Sequence, residues 1–414
     1  MISQDALFEL FLKQSIKDYN GVIDSFLKDP SSIFADKNEQ TGLFFDALTR
    51  KLANWKKSKE CIYRNCKEKS IKKSHTIAKS AFLSVIAEKG HLYTPALNYK
   101  TYGTEIKKIG VNDASTFPGF CQDHEKLFFA FEQSKRIAGD SDAFRQIYRT
   151  ICREIVIKEF RLNTILHLRD SYKKFRDGKL FIEIKKLPIM KLIERNSKIS
   201  NFEYEGSDAL LNSFDTEIKN LKRDIRKFRG IYFKRIHDEL ELKSKKQFFC
   251  GMNITVKGQV PVALAGRGNF VAAMDINSEP KTIELITIVL PSENETTVII
   301  FSSVENEEYI KGYVERFLRQ DFGIINMIES WMMYGSDHWF IKPSIWEKIT
   351  AENQKVIVSD IMDPSKRISS FYPKTIFNDF KRDRLLALIK LKSNEEFEKM
   401  IIVENGKFTD AEVP

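Results

Sequence analysis

The chain has 414 residues, which exceeds the usual size of one domain, so we expect two or three domains. Apolar residues make up 42% of it and phenylalanine alone occurs 32 times, which is enough for well-packed cores. The net charge of +10 and the isoelectric point near 9.1 favour an anionic partner, with nucleic acid ahead of a membrane surface. A generally lysine-rich protein would carry the same charge.

Three classes of protein are disfavoured by simple patterns. The N-terminal segment MISQDALFELFLKQ lacks the basic start and the long apolar stretch of a signal peptide. No run of about 18 apolar residues is present, so we expect no membrane span. Five cysteines, an odd and low number, do not form a disulfide framework. We therefore expect a cytoplasmic protein that does not enter a membrane.

Helices are predicted at the start of the chain. The segments DALFELFLKQSI and TGLFFDALTRKLANW repeat apolar residues every three or four positions, and KDPSS at 28–32 separates them. The segment TIAKSAFLSVIAEKG at 76–90 also predicts a helix, with Ser74 as its N-cap and Gly90 as its stop.

Residues 91–198 change from irregular to helical structure along the chain. Glycine and proline interrupt 91–120, so we expect irregular structure or short strands there. The segment FCQDHEKLFFAFEQSKRIAG then predicts a helix, and 141–198 reads as almost wholly helical.

Two helical stretches are basic. Residues 145–198 contain 15 Lys and Arg against 6 Asp and Glu, and 207–246 contains IKNLKRDIRKFRGIYFKRI. Either stretch could hold a phosphate backbone, and either could equally be the solvated face of a helical bundle. The candidate nucleic-acid contacts are Lys222, Arg223, Arg226 and Lys227.

The pattern changes to strands near residue 247. β-branched runs such as TIELITIVLP and TTVIIFSSV are separated by Gly, Pro, Asn and Ser clusters. We predict a sheet of about four strands, antiparallel because the links are short, followed by helices at 306–333 and 373–391. The segment GRGNF at 266–270 is interpreted as a turn between strands, and ENGKFTDAEVP as a loose tail.

Two close pairs of residues predict a zinc site. Cys61 and Cys66 form C-x4-C, and Cys121 and His124 form C-x2-H at a predicted helix start. Zinc takes four soft or borderline ligands in a tetrahedron, and two such pairs supply them. Incidental buried thiols are the alternative, and this is the default for the isolated Cys152 and Cys250.

The order of these features resembles an HNH endonuclease of the treble-clef type over residues 61–132. CIYRNCKEKSIKKSHTI looks like its zinc knuckle and its strand-end histidine, and FCQDHEKLF looks like the second ligand pair opening the helix. The chain departs from the family pattern in three places. Ser74 stands where an acidic or polar metal ligand is common, Cys121 follows His75 by 46 positions, and Glu125 stands where His or Asn is usual.

The resemblance implies a role for the histidine that the zinc does not use. His75 would be the general base of phosphodiester hydrolysis, because neutral imidazole suits that role near pH 7. Glu125, helped by Asp113 or Asp123, would hold a hard cation, Mg²⁺ or Mn²⁺. Two alternatives for His75 remain, a helix-capping residue or a zinc ligand in place of His124.

Together these patterns predict an α+β, mostly helical protein with four parts. They are a helical segment at 1–58, a zinc-binding, HNH-like module at 59–135, a basic helical region at 136–246 and an α+β C-terminal domain at 247–414. We expect a metal-dependent nuclease or nuclease-like nucleic-acid-binding protein, acting in bacterial antiviral defence by analogy of architecture. A protein partner or a second copy would bind through 247–414. The alternative is a non-catalytic, zinc-stabilised binding or scaffold protein.

Overall fold

A computed structural model describes most of the chain. The described residues are 4–29, 34–36, 38–40, 42–45, 55, 57–98, 103–194, 202–240, 248–272, 281–320, 322–361, 363, 368 and 371–382. The chain divides into two compact units, one formed by Met1–Lys56 with Ile157–Lys227 and the other by Lys57–Val156 with Phe228–Pro414. The long helix Asp140–Lys185 contributes residues to both units.

The first unit is helical in its described part. Its helices are Gln4–Lys28, the later part of Asp140–Lys185, Pro188–Glu194 and Ala209–Lys227. Two small apolar clusters hold them together: Ile23 packs with Leu180, Ile184 and Met190, and Phe34 packs with Tyr172 and Leu211. The predicted helix at the start of the chain is present. Of the predicted helix TGLFFDALTRKLANW, 42–45 are helical and 46–54 lie outside the described residues.

The second unit contains nine strands within its described residues. In chain order they are β1 (Ser74–His75), β2 (His91–Asn98), β3 (Gly103–Gly110), β4 (Thr116–Phe117), β5 (Phe249–Lys257), β6 (Val262–Ala272), β7 (Lys281–Pro291), β8 (Glu295–Ser303) and β9 (Trp339–Ile341). Its α-helices are Ser84–Ile86, Gln122–Glu125, Phe129–Ser134, the start of Asp140–Lys185, Lys234–Leu240, Glu307–Leu318, Gly323–Tyr334, Pro343–Lys348 and Ala351–Asp360. Lys79–Leu83 and Phe228–Phe233 are π-helical, and Lys126–Phe128 and Val304–Asn306 are 3₁₀ turns.

Seven of these strands form one antiparallel sheet in the order β3-β2-β9-β6-β7-β8-β5. The α+β class and the antiparallel pairing are therefore confirmed, but the prediction of about four strands is wrong. The region predicted to form strands contains β5 to β8, but one predicted boundary between strands is wrong because it falls inside β6. The hairpin of β2 and β3, from the segment predicted to be irregular or short-stranded, joins them through the three-residue β9, where Tyr93 and Val262 both pair with Ile341.

The segment GRGNF is also different from its predicted turn, because residues 266–270 lie in the middle of β6. Both glycines are needed there for close packing. A Cβ on Gly266 would overlap the Ser336 hydroxyl, and one on Gly268 would lie 2.8 Å from the Trp331 ring. Trp331 belongs to the helix Gly323–Tyr334, which with Glu307–Leu318 covers the sheet and forms the main core.

The predicted helices near the C-terminus are partly described. The stretch at 306–333 forms two helices. Of the predicted helix 373–391, residues 373–377 are not helical, 378–382 are helical and 383–391 lie outside the described residues, as does the predicted tail. None of the helices in the described part of the chain has both the length and the apolar character needed to cross a bilayer.

Candidate metal centre and its histidine

Four side chains from two short segments meet at one point of the second unit. Cys61 and Cys66 lie on a loop that closes where Glu60 pairs with Lys69 and where the Cys61 amide donates to the Glu68 carbonyl at 2.8 Å. Cys121 directly precedes the helix Gln122–Glu125, which carries His124 on its first turn. The ligand atoms of the four residues all lie within 4.8 Å of one another.

The separations between these atoms suit a tetrahedral metal ion. Zinc bonds of about 2.3 Å to sulfur and 2.0–2.1 Å to nitrogen place two ligands of one ion about 3.6–3.8 Å apart. Cys66 Sγ lies 4.0 Å from Cys121 Sγ, and His124 Nδ1 lies 3.6 Å from Cys61 Sγ and 3.2 Å from Cys121 Sγ. A Cys₃His group of this geometry can hold a metal ion such as zinc.

Backbone hydrogen bonds set the two ligand pairs face to face. The Ile62 amide donates to the Gly119 carbonyl at 2.8 Å, and the Ile71 amide donates to Phe120 at 2.7 Å. The Cys121 amide also donates to Cys61 Sγ at 3.3 Å. The ring of Tyr63 stacks on the His124 imidazole with centroids 3.8 Å apart and fixes the plane of that ligand. Metal-binding geometry is thus supported by groups that are not ligands.

Two of the thiols have opposite tendencies to ionise. Burial raises the pKa of the Cys61 thiol to about 12. Burial acts in the same direction on Cys121, but hydrogen bonds from the backbone amides of His124 and Asp123 help to outweigh it, and the pKa of Cys121 is lowered. A buried thiol such as Cys61 loses its proton when a cation takes the place of that proton, as bound zinc does.

His75 lies at the end of β1, which pairs with β4 through His75 and Thr116. Its Nδ1 is 3.0 Å from the Ala114 carbonyl oxygen. A carbonyl oxygen can only accept, so Nδ1 carries the proton of the neutral ring and Nε2 keeps its lone pair. Within the described residues Nε2 makes no hydrogen bond.

Neither of the two alternative roles of His75 matches its position in the structure. The group of potential ligands contains His124 and not His75. The helical segment after it begins at Lys79 with Ala78 at the N-cap position, so neither His75 nor Ser74 caps it. The prediction of Ser74 as N-cap is therefore wrong, because this residue lies in β1, where its hydroxyl accepts from the Phe120 amide at 3.1 Å.

Charge and burial keep the His75 imidazole neutral. Burial, followed by the positive charge of Arg149, lowers the pKa of His75 to about 4, and the charges of Lys79 and Lys73 act in the same direction. The hydrogen bond to Ala114 opposes them but is outweighed. Near pH 7 the ring is therefore an unprotonated base.

Glu125 lies in a buried ion pair with Arg149, the residue whose charge also acts on His75. Its Oε2 accepts from Arg149 Nη2 at 2.7 Å, and Arg149 also bonds to Glu132 and packs over the Phe128 ring. Burial raises the pKa of Glu125, with the charge of Arg149 acting against it. The other oxygen, Oε1, is buried and makes no hydrogen bond of normal geometry among the described residues, although the nearby Ser74 hydroxyl acts, like Arg149, to lower the pKa of this carboxyl.

The two predicted helper carboxylates are exposed and lie in surface ion pairs. Asp113 accepts from Lys73 at 2.6 Å, and Asp123 accepts from Lys126 at 2.7 Å. Neither belongs to a group of three or more potential metal ligands in the described part of the chain. The two isolated cysteines, Cys152 and Cys250, are buried as expected.

The predicted nucleic-acid contacts lie on the helix Ala209–Lys227 of the first unit. Leu211, Ile218 and Leu221 face its core, so the basic residues at 222, 223, 226 and 227 are exposed. Asp224, the acid among them, accepts from Lys158 at 3.0 Å. The outer face of the last two turns is therefore strongly cationic.

Sequence patterns missed Arg149 and Tyr63. Arg149 is 2% exposed, yet in the sequence it is one of many cations on a long helix, and nothing in its spacing separates it from the exposed ones. Tyr63 lies between Cys61 and Cys66 in the sequence, and this position could have been used to predict that its side chain contacts the candidate metal centre.

Comparison of the chain with protein-family models, with curated proteins and with solved structures gives no match. A functional proposal therefore rests on two features of the second unit, the Cys₃His group and the neutral His75.

Proposed function

We propose that residues 59–135 form a treble-clef-like zinc module of the HNH type, and that the protein is a metal-dependent nuclease or nuclease-like nucleic-acid-binding protein. The observation that carries the proposal is the setting of His75. It is a strand-end histidine with Nδ1 held by a backbone carbonyl, Nε2 free of hydrogen bonds within the described residues and a pKa of about 4. The order of elements along the chain is typical of such modules: first a loop with two cysteines, then the β1–β4 pair, then a helix with the second ligand pair.

In this proposal zinc is structural. Cys61, Cys66, Cys121 and His124 fill a four-coordinate site and leave no open position for substrate. The catalytic cation is a separate Mg²⁺ or Mn²⁺, and Glu125 Oε1, a buried carboxylate oxygen that makes no hydrogen bond of normal geometry in the described part of the chain, fits a hard cation.

The chemistry assigned to this chain is hydrolysis of a phosphodiester. His75 Nε2 would accept the proton of the attacking water while Ala114 holds the ring in orientation. The divalent cation, when bound, would supply charge neutralisation at the phosphate. The basic helix Ala209–Lys227 would bind the backbone without regard to sequence. Bacterial antiviral defence stays the proposed setting by analogy of architecture alone.

One observation favours the second candidate, a non-catalytic, zinc-stabilised binding protein. Glu125 is already neutralised by the Arg149 guanidinium at 2.7 Å, and both groups are buried. A carboxylate in such a pair has less attraction left for a cation. On this alternative Glu125 and Arg149 are a structural pair beneath the module.

Cleavage assays on the full chain separate the two candidates. His75→Ala should keep zinc content and melting temperature while it lowers Mg²⁺- or Mn²⁺-dependent cutting of DNA or RNA at least about a hundredfold, the usual cost of losing a general base. His91→Ala is the matched control, because His91 also has Nδ1 against a backbone carbonyl, that of Lys89 at 2.8 Å, but is exposed. It should cut like the wild type.

Three results decide between the candidates. Metal-dependent cutting that disappears only in His75→Ala supports the nuclease. Binding of nucleic acid without cutting, by zinc-loaded wild-type protein, supports the non-catalytic alternative. Loss of zinc in His75→Ala would make His75 a ligand and would remove the base from the mechanism.

A further inference from the structure

The surface next to His75 carries an unusual density of lysines. Between residues 67 and 79 the sequence contains five lysines and a single acid, Glu68. All five lysines are exposed: Lys67, Lys69, Lys72, Lys73 and Lys79. This basic surface belongs to the same compact unit as His75, and the helix Ala209–Lys227 belongs to the other unit.

Two of these lysines are placed on either side of the histidine along the chain. Lys73 precedes His75 by two positions, and Lys79 begins the helical segment that follows it. Both reach the same turn: Lys73 Nζ donates to Asp113 Oδ1 at 2.6 Å, and Lys79 Nζ donates to Asn112 Oδ1 at 3.0 Å. Ala114, the next residue of this turn, holds His75 Nδ1. The two ammonium groups therefore lie at the turn that orients the base.

Neither contact prevents these ammonium groups from binding an anion. The Lys73–Asp113 pair has side chains 56% and 62% exposed, and such a pair contributes little against solvent. The partner of Lys79 is a neutral amide, so its positive charge is not cancelled. The same charges lower the pKa of His75, after burial and Arg149, which indicates that both act on the imidazole.

We propose that Lys73 and Lys79 form a phosphate-binding site for a nucleic-acid backbone, which places a phosphodiester beside His75. The inference rests on the proposed function in that it assigns the phosphate to the substrate of His75. An anionic lipid surface is the competing source of phosphate. Ile71 is the one large apolar residue counted as exposed between 67 and 79, and attachment to a bilayer normally needs a broader apolar face.

The test measures binding separately from cutting. The full chain with His75→Ala, in the presence of Mg²⁺, is titrated against labelled single-stranded and duplex oligonucleotides at several salt concentrations. Lys73→Gln/Lys79→Gln is compared with Lys107→Gln/Lys355→Gln, which removes equal charge from exposed lysines on β3 and on the helix Ala351–Asp360 of the same unit. Zinc content and melting temperature confirm that each variant is folded.

We expect the first pair to weaken binding about tenfold or more and to lower the slope of log affinity against log salt by about 2, one for each lost phosphate contact. The control pair should leave both values close to those of the parent. If the two pairs have equal effects, or if neither has any, the site does not exist. The same variants are titrated against phosphatidylserine vesicles. If the first pair abolishes binding to these vesicles but not to oligonucleotides, the ligand is a lipid and the proposal is wrong.

The outcomes also separate this inference from the proposed function. If the wild-type protein binds through Lys73 and Lys79 but never cuts, the phosphate site is supported and the nuclease function is refuted. If the wild-type protein cuts, but Lys73→Gln/Lys79→Gln changes neither the binding affinity nor its salt dependence, the nuclease function is supported and the phosphate site is refuted.

Discussion

Replacing His75 by asparagine tests the environment assigned to the proposed base. Burial, with the nearby charges of Arg149, Lys79 and Lys73, lowers the pKa of His75 from 6.5 to about 4. Between these values the unfolded chain binds more protons than the folded chain, so stability is lost as the pH falls. The two pKa values correspond to a loss of about 2 kcal/mol between about pH 7 and pH 5. In an active enzyme the acid limb of kcat/KM should fall near pH 4 and not near 6.5.

The assay is urea unfolding of wild type and His75→Asn at several pH values from neutral to about 5. The asparagine amide can still donate to the Ala114 carbonyl but does not titrate. Zinc content is followed at each pH, because acid also protonates the thiolate ligands. The unfolding free energy of wild type should fall by about 2 kcal/mol more than that of the variant. Parallel curves would show that His75 has an ordinary pKa and is not enclosed as described.

Three further predictions concern the ion pair, the sheet and the basic helix. Arg149→Met should lower the free energy of unfolding by about 3–5 kcal/mol, since it leaves the buried Glu125 carboxylate unpaired, and adding Glu125→Gln should recover part of the loss in a double-mutant cycle. Gly268→Ala should cost about 1–3 kcal/mol through overlap with Trp331, whereas Gly312→Ala, in an open helical position, should be neutral or stabilising in the same unfolding experiment. Charge reversal on the helix Ala209–Lys227 should weaken nucleic-acid binding for all sequences alike and reduce its salt dependence. Binding that does not depend on salt would argue against this contact. The positions to reverse are Lys222, Arg223, Arg226 and Lys227.

Features that depend on neighbouring residues in the sequence could be predicted from their spacing. Cys61 and Cys66 lie on one knuckle, and Cys121 and His124 lie within one turn, so each ligand pair could be recognised without knowing the fold. β7 and β8 were also predictable, because each is a long β-branched run.

Contacts between distant segments were not predictable in this way. β9 has three residues, which is too few to show the alternation of apolar and polar residues that predicts a strand. It nevertheless joins the hairpin β2–β3 to the rest of the sheet. The glycines at 266 and 268 suggested a turn, but they allow close packing against Ser336 and Trp331, which are more than 60 residues away in sequence. The pairing of Arg149 with Glu125 depends in the same way on tertiary structure.

Zinc stoichiometry tests the central claim most directly. Elemental analysis of freshly purified protein should find about one zinc per chain, and Cys61→Ser or Cys121→Ser should lose it. Structural zinc contributes on the order of 10 kcal/mol, and the hairpin β2–β3 is inserted between β1 and β4, so zinc loss should also raise hydrogen exchange in β9 and β6. A wild-type protein without zinc, or a Cys121→Ser variant with full zinc and unchanged exchange, would contradict the account.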